Sequence, residues 1–150
     1  MNGLKDVTGT AFIVAEFRVR ENAEAHPLYV DPIAPIFLDE RTKQAADAIA
    51  AGFPPAEKML RLRACYLDRR LDQQLALGCR QVVILGAGLD TRAVRKRSPE
   101  VAYFEIDDAN ILSFKRARSR LKRLKKLRKG DGSHSRRRKA KCVSNCAAQP

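Results

Sequence analysis

Apolar positions follow one rhythm in the first half of the chain and another after residue 80. Ala11, Val14, Ala15 and Phe17 recur at helical spacing, so a first helix is expected, opened by Thr8 or Thr10 and ending around Glu24. A proline-punctuated stretch runs from Pro27 to Pro35. Thr42 to Ala51 reads as a second helix stopped by Gly52, and Pro54-Pro55 starts a third that runs to Leu77 before Gly78. Its stripe of Met59, Leu62, Tyr66 and Leu67 is expected to pack into the core. Val82 to Leu85 is then a continuous apolar run, the pattern of a strand buried on both faces of a parallel sheet. Gly86-Ala87-Gly88 breaks it. A second run, Val101 to Ile106, ends in the acidic cluster Glu105, Asp107 and Asp108, and Ile111, Leu112, Phe114 and Lys115 begin another helix.

Strand, glycine turn, short linker and strand make a nucleotide-binding β-α-β unit. Glycines without Cβ let the backbone turn sharply and let an adenosine lie against the main chain. A carboxylate at the end of the next strand can accept from ribose hydroxyls. Gly88 and Asp107 are 19 residues apart, close to the roughly 20 expected for that pairing. Glu105 and Asp107, two apart, would share a strand face, and one of them suffices for the sugar. The full dinucleotide fingerprint has a third glycine where this chain has Thr91. A ligand without pyrophosphate demands less there, which favours S-adenosylmethionine over NAD. Asp90 and Arg92 either cap and brace the following helix or touch the ligand.

The net charge of +13 suggests a polyanion partner until its distribution is considered. Residues 1–114 hold 15 Lys and Arg against 16 Asp and Glu, a net of −1, whereas residues 115–150 hold 15 against 1, a net of +14. The basic character thus belongs to the C-terminal end. Residues 115–141 would give nonspecific nucleic-acid affinity, without the stacking aromatics that make such binding specific. No apolar stretch reaches the roughly 18 residues of a membrane span and no leader pattern opens the chain, so a cytoplasmic location is expected. Cys65, Cys79, Cys142 and Cys146 form no disulfide framework, and Cys142 and Cys146 with His134 fall short of a zinc ligand set, so no metal is expected.

Several segments in order carry a resemblance. Thr10 to Arg18, Asp31-Pro32-Ile33-Ala34, Arg61-Leu62-Arg63, the Gly-Ala-Gly-Leu-Asp-Thr-Arg string of residues 86–92, and Phe104-Glu105-Ile106-Asp107 resemble the leucine carboxyl methyltransferase-like family of S-adenosylmethionine-dependent methyltransferases. The resemblance implies that Gly86 and Gly88 form the cofactor turn and that Asp107, with Glu105 beside it, binds the ribose. It implies that Arg61 reaches the donor's carboxylate, Arg63 taking its place if the register shifts by two, and that Arg18 lies on a helix closing over the site. The implied fold is α/β, a Rossmann-like class I methyltransferase fold preceded by N-terminal helices. It implies methyl transfer to a small-molecule or carboxylate acceptor.

The resemblance stops near Ser119, and no run after Phe114 reads as a buried strand. The expectation is a fold truncated after its second strand over residues 1–118, followed by a basic tail over 119–150, with weak or absent activity. A reading frame shifted between Arg116 and Ser119 would produce this, and translating the flanking DNA in the other two frames tests it. Two rival functions remain: a polybasic nucleic-acid or anionic-surface binding protein, and an NAD-dependent oxidoreductase.

Overall fold

A computed structural model of the protein describes residues 7–128. Five α-helices, one short 3-10 helix and two strands alternate as α1 (Val7–Glu21), the 3-10 turn (Ala34–Phe37), α2 (Glu40–Gly52), α3 (Pro55–Ala76), β1 (Gln81–Leu85), α4 (Arg92–Arg95), β2 (Ala102–Ile106) and α5 (Ala109–Arg128). Helix α1 tightens into i→i+3 bonds from Asn22, Ala23 and Glu24, which is why its regular part stops three residues before the expected end. Helix α2 begins two residues before Thr42 because Asp39 caps it. The Asp39 carboxylate accepts from the N–H groups of Arg41 and Thr42, and the Thr42 hydroxyl accepts from the N–H of Asp39, a reciprocal capping box. Helix α3 starts at Pro55, where a missing N–H costs nothing, and ends before Gly78, which holds φ at +95°.

Strands β1 and β2 pair in parallel from Gln81 opposite Ala102 to Leu85 opposite Ile106. Facing residues of a parallel pair share a side, so Val82, Ile84, Tyr103 and Glu105 point one way and Val83, Leu85, Phe104 and Ile106 the other. The first side is covered: Tyr103 is buried and α5 reaches back over it with Lys115 bonded to Glu105. The second is not. Val83, Leu85 and Ile106 are 56%, 74% and 45% exposed, so the expectation of a strand buried on both faces fails on that side.

The core gathers around α1. Ala15 joins Phe37, Leu89, Ile111 and Leu112 in one cluster, while Ile13 and Phe17 join Ala46 in another, with Leu60 and Ala56 of α3 against it. Contacts on both flanks explain why the apolar residues of α1 spread beyond the single face read from the sequence. The stripe expected to pack α3 into the core does not do so: Met59, Leu62, Tyr66 and Leu67 are all exposed. The buried residues of α3 are Ala64, Cys65 and Asp68. Small residues let α3 approach closely, and a buried carboxylate there serves an ionic network.

Tyr29 lies in the smallest cluster, with Ala64 and Cys65, and its hydroxyl is buried without a partner among the described residues. Burial pushes that hydroxyl from 10.0 up to about 12. An unfolded tyrosine ionises first, so the folded chain loses stability as pH rises from about 10 to about 12. Tyr29→Phe is expected to be at least as stable as the parent at pH 7, gaining about 1 kcal/mol in urea unfolding. The part of the alkaline loss that belongs to Tyr29 should disappear with it.

Candidate functional site

The ends of β1 and β2 are stitched together by the turn between them. Gly86 and Gly88 hold φ at +60° and +42°, left-handed conformations that favour glycine. A Cβ on Gly88 would also come within 3.1 Å of the Ala11 Cβ, a contact tight enough that α1 would have to give slightly. The Gly88 N–H donates to Asp107 Oδ2 at 2.6 Å, the Asp108 N–H donates to Asp107 Oδ1 at 2.6 Å, and the Ala87 N–H donates to the Ile106 carbonyl at 3.1 Å. Asp107 stands one residue past β2, with its carboxylate turned to the glycine bend.

A cavity of about 260 Å³ opens at this point. Thr10, Ala11, Val14 and Arg18 of α1 form one wall, Leu60, Arg63, Ala64 and Leu67 of α3 another, and residues 86–90 with Asp107 and Ile111 form the floor. Its charged lining residues include Arg18, Arg63 and the Asp107 carboxylate.

The walls are fixed by two buried aspartates. Asp31, fully buried, accepts from the N–H groups of Ile33 and Ala34 at 3.2 and 3.0 Å and from the Thr91 hydroxyl at 2.6 Å. Arg18 lies 3.4 Å and Arg95 3.7 Å from the same carboxylate. Asp68 accepts from Arg92 Nε at 2.6 Å and from Arg95 Nη1 at 2.7 Å. Burial acts to raise the Asp68 pKa, but the Arg95 and Arg92 contacts prevail and hold it below the usual carboxylate range. Asp90 pairs with Arg92 and accepts its N–H, which braces the start of α4, and both residues also line the cavity. Thr91 is buried with its hydroxyl committed to Asp31 and its oxygen accepting from Arg95 Nε at 2.8 Å.

The structure brings four of the sequence-derived candidates to the cavity and leaves two outside. Gly86, Gly88, Asp107 and Arg18 all line it. Arg18 is 5% exposed and donates from Nη2 to the Leu89 carbonyl at 2.8 Å, while its Nε has no partner among the described residues. Burial lowers its pKa, opposed by the nearby Asp31 and Asp90 carboxylates. Arg61 is not at the cavity: it donates to Glu21 at 2.6 Å, Glu24 at 2.6 Å and Glu57 at 3.2 Å, three carboxylates that hold it between α1 and α3. Arg63, two residues on, lines the cavity and has no such partners among the described residues. Glu105 also lies outside, bonded to Lys115 Nζ at 2.6 Å on the covered side of the sheet. Asp31 entered the sequence reading only within the Asp31-Pro32-Ile33-Ala34 segment of the resemblance, and Asp68 and Arg95 not at all. An aspartate in the proline-rich loop and an aspartate on the inner side of a charged helix were the only other signals.

Among the described residues no helix is long and apolar enough to cross a membrane, and no group of three or more His, Cys, Asp or Glu side chains could hold a metal ion. His134, Cys142, Cys146 and the basic run of residues 136–141 lie outside the described residues.

With the glycine bend and its carboxylate in contact, comparison with known proteins becomes decisive. A model of the leucine carboxyl methyltransferase family matches residues 11–141. The chain belongs to the leucine carboxyl methyltransferase family. The matched span continues past Ser119, where the motif resemblance stops. Similar proteins include one from Mycobacterium marinum, 34% identical over 132 residues covering 77% of this chain and 42% of the relative, and one from Frankia alni, 36% identical over 118 residues covering 73% and 41%. A Mycobacterium tuberculosis relative is 34% identical over 123 residues, covering 74% and 38%. Each is provisionally named an S-adenosyl-L-methionine-dependent methyltransferase. The chain spans about two fifths of the length of these curated relatives.

Arg61 in this family member is therefore a structural residue by its contacts. Arg61→Ala strands the Glu21 carboxylate, which is 1% exposed, without its cationic partner. A loss of about 1–3 kcal/mol in urea unfolding is expected. An unchanged midpoint would contradict the assignment.

Proposed function

We propose that the cavity is the donor site of a methyltransferase and binds S-adenosylmethionine. The observation that carries this reading is the Gly88 N–H to Asp107 hydrogen bond, which sets a carboxylate directly beside a bend with a glycine on each side of Ala87. A carboxylate has about four acceptor positions. Two are taken by the N–H groups of Gly88 and Asp108, leaving capacity for the two ribose hydroxyls. The adenosyl group lies against residues 86–88, and the amino-acid end of the donor points toward Arg63, which reaches its carboxylate. Bound S-adenosylmethionine supplies a sulfonium methyl for in-line transfer, and the protein's part is to hold it in position. The surrounding fold is read as the Rossmann-like class I methyltransferase plan, and the acceptor as a small molecule or a carboxylate.

Two observations weigh against NAD. Thr91 keeps its side chain where a dinucleotide fingerprint has glycine, bonded into the Asp31 network, and α4 is a single turn of four residues. A pyrophosphate would find neither the open glycine nor the helix start that usually receives it. Nothing in the family match supports the polybasic nucleic-acid reading.

Calorimetric titration tests the proposal. Asp107→Ala is expected to weaken S-adenosylmethionine binding by at least about 10-fold, since each charge-assisted bond contributes roughly 1.5–3 kcal/mol. Helix content by circular dichroism should be unchanged. Arg63→Ala should weaken S-adenosylmethionine but leave 5′-methylthioadenosine, which has no carboxylate, unaffected. Equal binding by parent and Asp107→Ala would overturn the reading.

A further inference from the structure

The outward side of α3 is apolar and cationic at once. At 3.6 residues per turn Met59, Leu62, Tyr66 and Arg70 fall along one line of that helix, with Arg63 and Leu67 beside it and Leu77 continuing it just past the last turn. The apolar members are 41–81% exposed. The carboxylates of α3 lie on the opposite side and are all taken: Glu57 pairs with Arg20 and Arg61, Asp68 with Arg92 and Arg95, and Asp72 with Lys96. Lys58, Arg63, Arg69 and Arg70 are exposed, and none has a carboxylate partner among the described residues. Arg63 and Leu67 also line the cavity, so this band adjoins the site.

We propose that this band seats the protein on an anionic lipid surface, as a contact lying in the interface. A helix side that only faces water sets its cations against carboxylates three or four residues away. Here unpaired cations alternate with large apolar side chains, which matches a bilayer boundary where lipid phosphates stand just above acyl chains. Tyr66 suits the same level, with an apolar ring and a polar tip. From Met59 to Leu77 the band runs about 27 Å at 1.5 Å per residue, enough to meet several headgroups. Charge complementarity extends beyond α3: residues 115–150 carry a net of +14, and each cation near an anionic leaflet contributes about 1 kcal/mol. Two other occupants fit less well. Nucleic acid would meet the cations and leave the five apolar side chains in water, and a second copy would bring like charge against like, +13 on each.

The sequence holds no tryptophan, so Tyr66→Trp in the full chain places a single fluorescent reporter on the band. Phosphatidylcholine vesicles containing one third phosphatidylglycerol are expected to move its emission to shorter wavelength, and brominated acyl chains to quench it. Vesicles of phosphatidylcholine alone should bind at least about 10-fold more weakly, and added salt should shrink the difference. Adding Met59→Asp and Leu62→Asp, both at exposed positions outside the cavity, should weaken partition into the anionic vesicles at least about 10-fold while circular dichroism stays unchanged. The proposal is overturned if the chain sediments with anionic vesicles while the reporter stays in water, because the basic C-terminal residues would then account for the binding. Equal binding by the doubly substituted chain overturns it too. So does a reporter that ignores vesicles and responds to polyglutamate, which would assign the band to an acidic protein surface.

Discussion

The hydrogen bond from the Gly88 N–H to the Asp107 carboxylate is the contact on which the site depends. It is short, at 2.6 Å, and charge-assisted, and it spans 19 residues to join the turn after one strand to the first residue beyond the next. It requires that β1 and β2 be adjacent and parallel in their observed register, because a one-residue slip would turn the carboxylate to the other side of the sheet. It also favours a glycine at residue 88 on two counts. The backbone there is left-handed, and the Ala11 methyl of α1 leaves a side chain little room. One bond therefore links sheet register, helix approach and the carboxylate of the cavity.

The opposite wall is held by charge in place of apolar contact. Asp31 is fully buried, yet it gathers two backbone N–H groups, the Thr91 hydroxyl and the guanidinium groups of Arg18 and Arg95. A buried carboxylate is costly to desolvate, and only such a full set of partners offsets that cost. The result is directional. An apolar residue at position 31 could fill the space, but it could not fix Arg18 against the Leu89 carbonyl or aim Thr91 away from the cavity. Asp68 repeats the device from α3 through Arg92 and Arg95, so the string of residues 89–92 is clamped from two helices at once.

The sequence displayed the local parts of this arrangement and concealed the connections. Helix starts and stops were legible from Pro54-Pro55, Gly52 and Gly78, and the glycine bend and Asp107 from their spacing, because these depend on backbone chemistry within a few residues. The stripe of Met59, Leu62, Tyr66 and Leu67 misled because helical periodicity identifies an apolar face without identifying what covers it. The double burial expected of β1 misled for the same reason. Arg61 and Arg63 look equivalent in a charged helix, and only the positions of Glu21, Glu24 and Glu57 in the fold decide that the first is consumed by ion pairs and the second faces the cavity. Asp31 and Asp68 were invisible as a network, since their ion-pair partners lie 13 or more positions away along the chain.

The most direct measurement is the amide resonance of Gly88 in a nitrogen-15 labelled sample of the full chain, followed during addition of S-adenosylmethionine. A donor in a short bond to a carboxylate resonates well downfield of a free amide, and ligand arriving on the same carboxylate must move it. The account predicts a downfield Gly88 signal that shifts on titration in the parent and is lost to an ordinary position in Asp107→Ala. A Gly88 amide already at the free-chain position, or one that stays still while other resonances respond to the ligand, would contradict it.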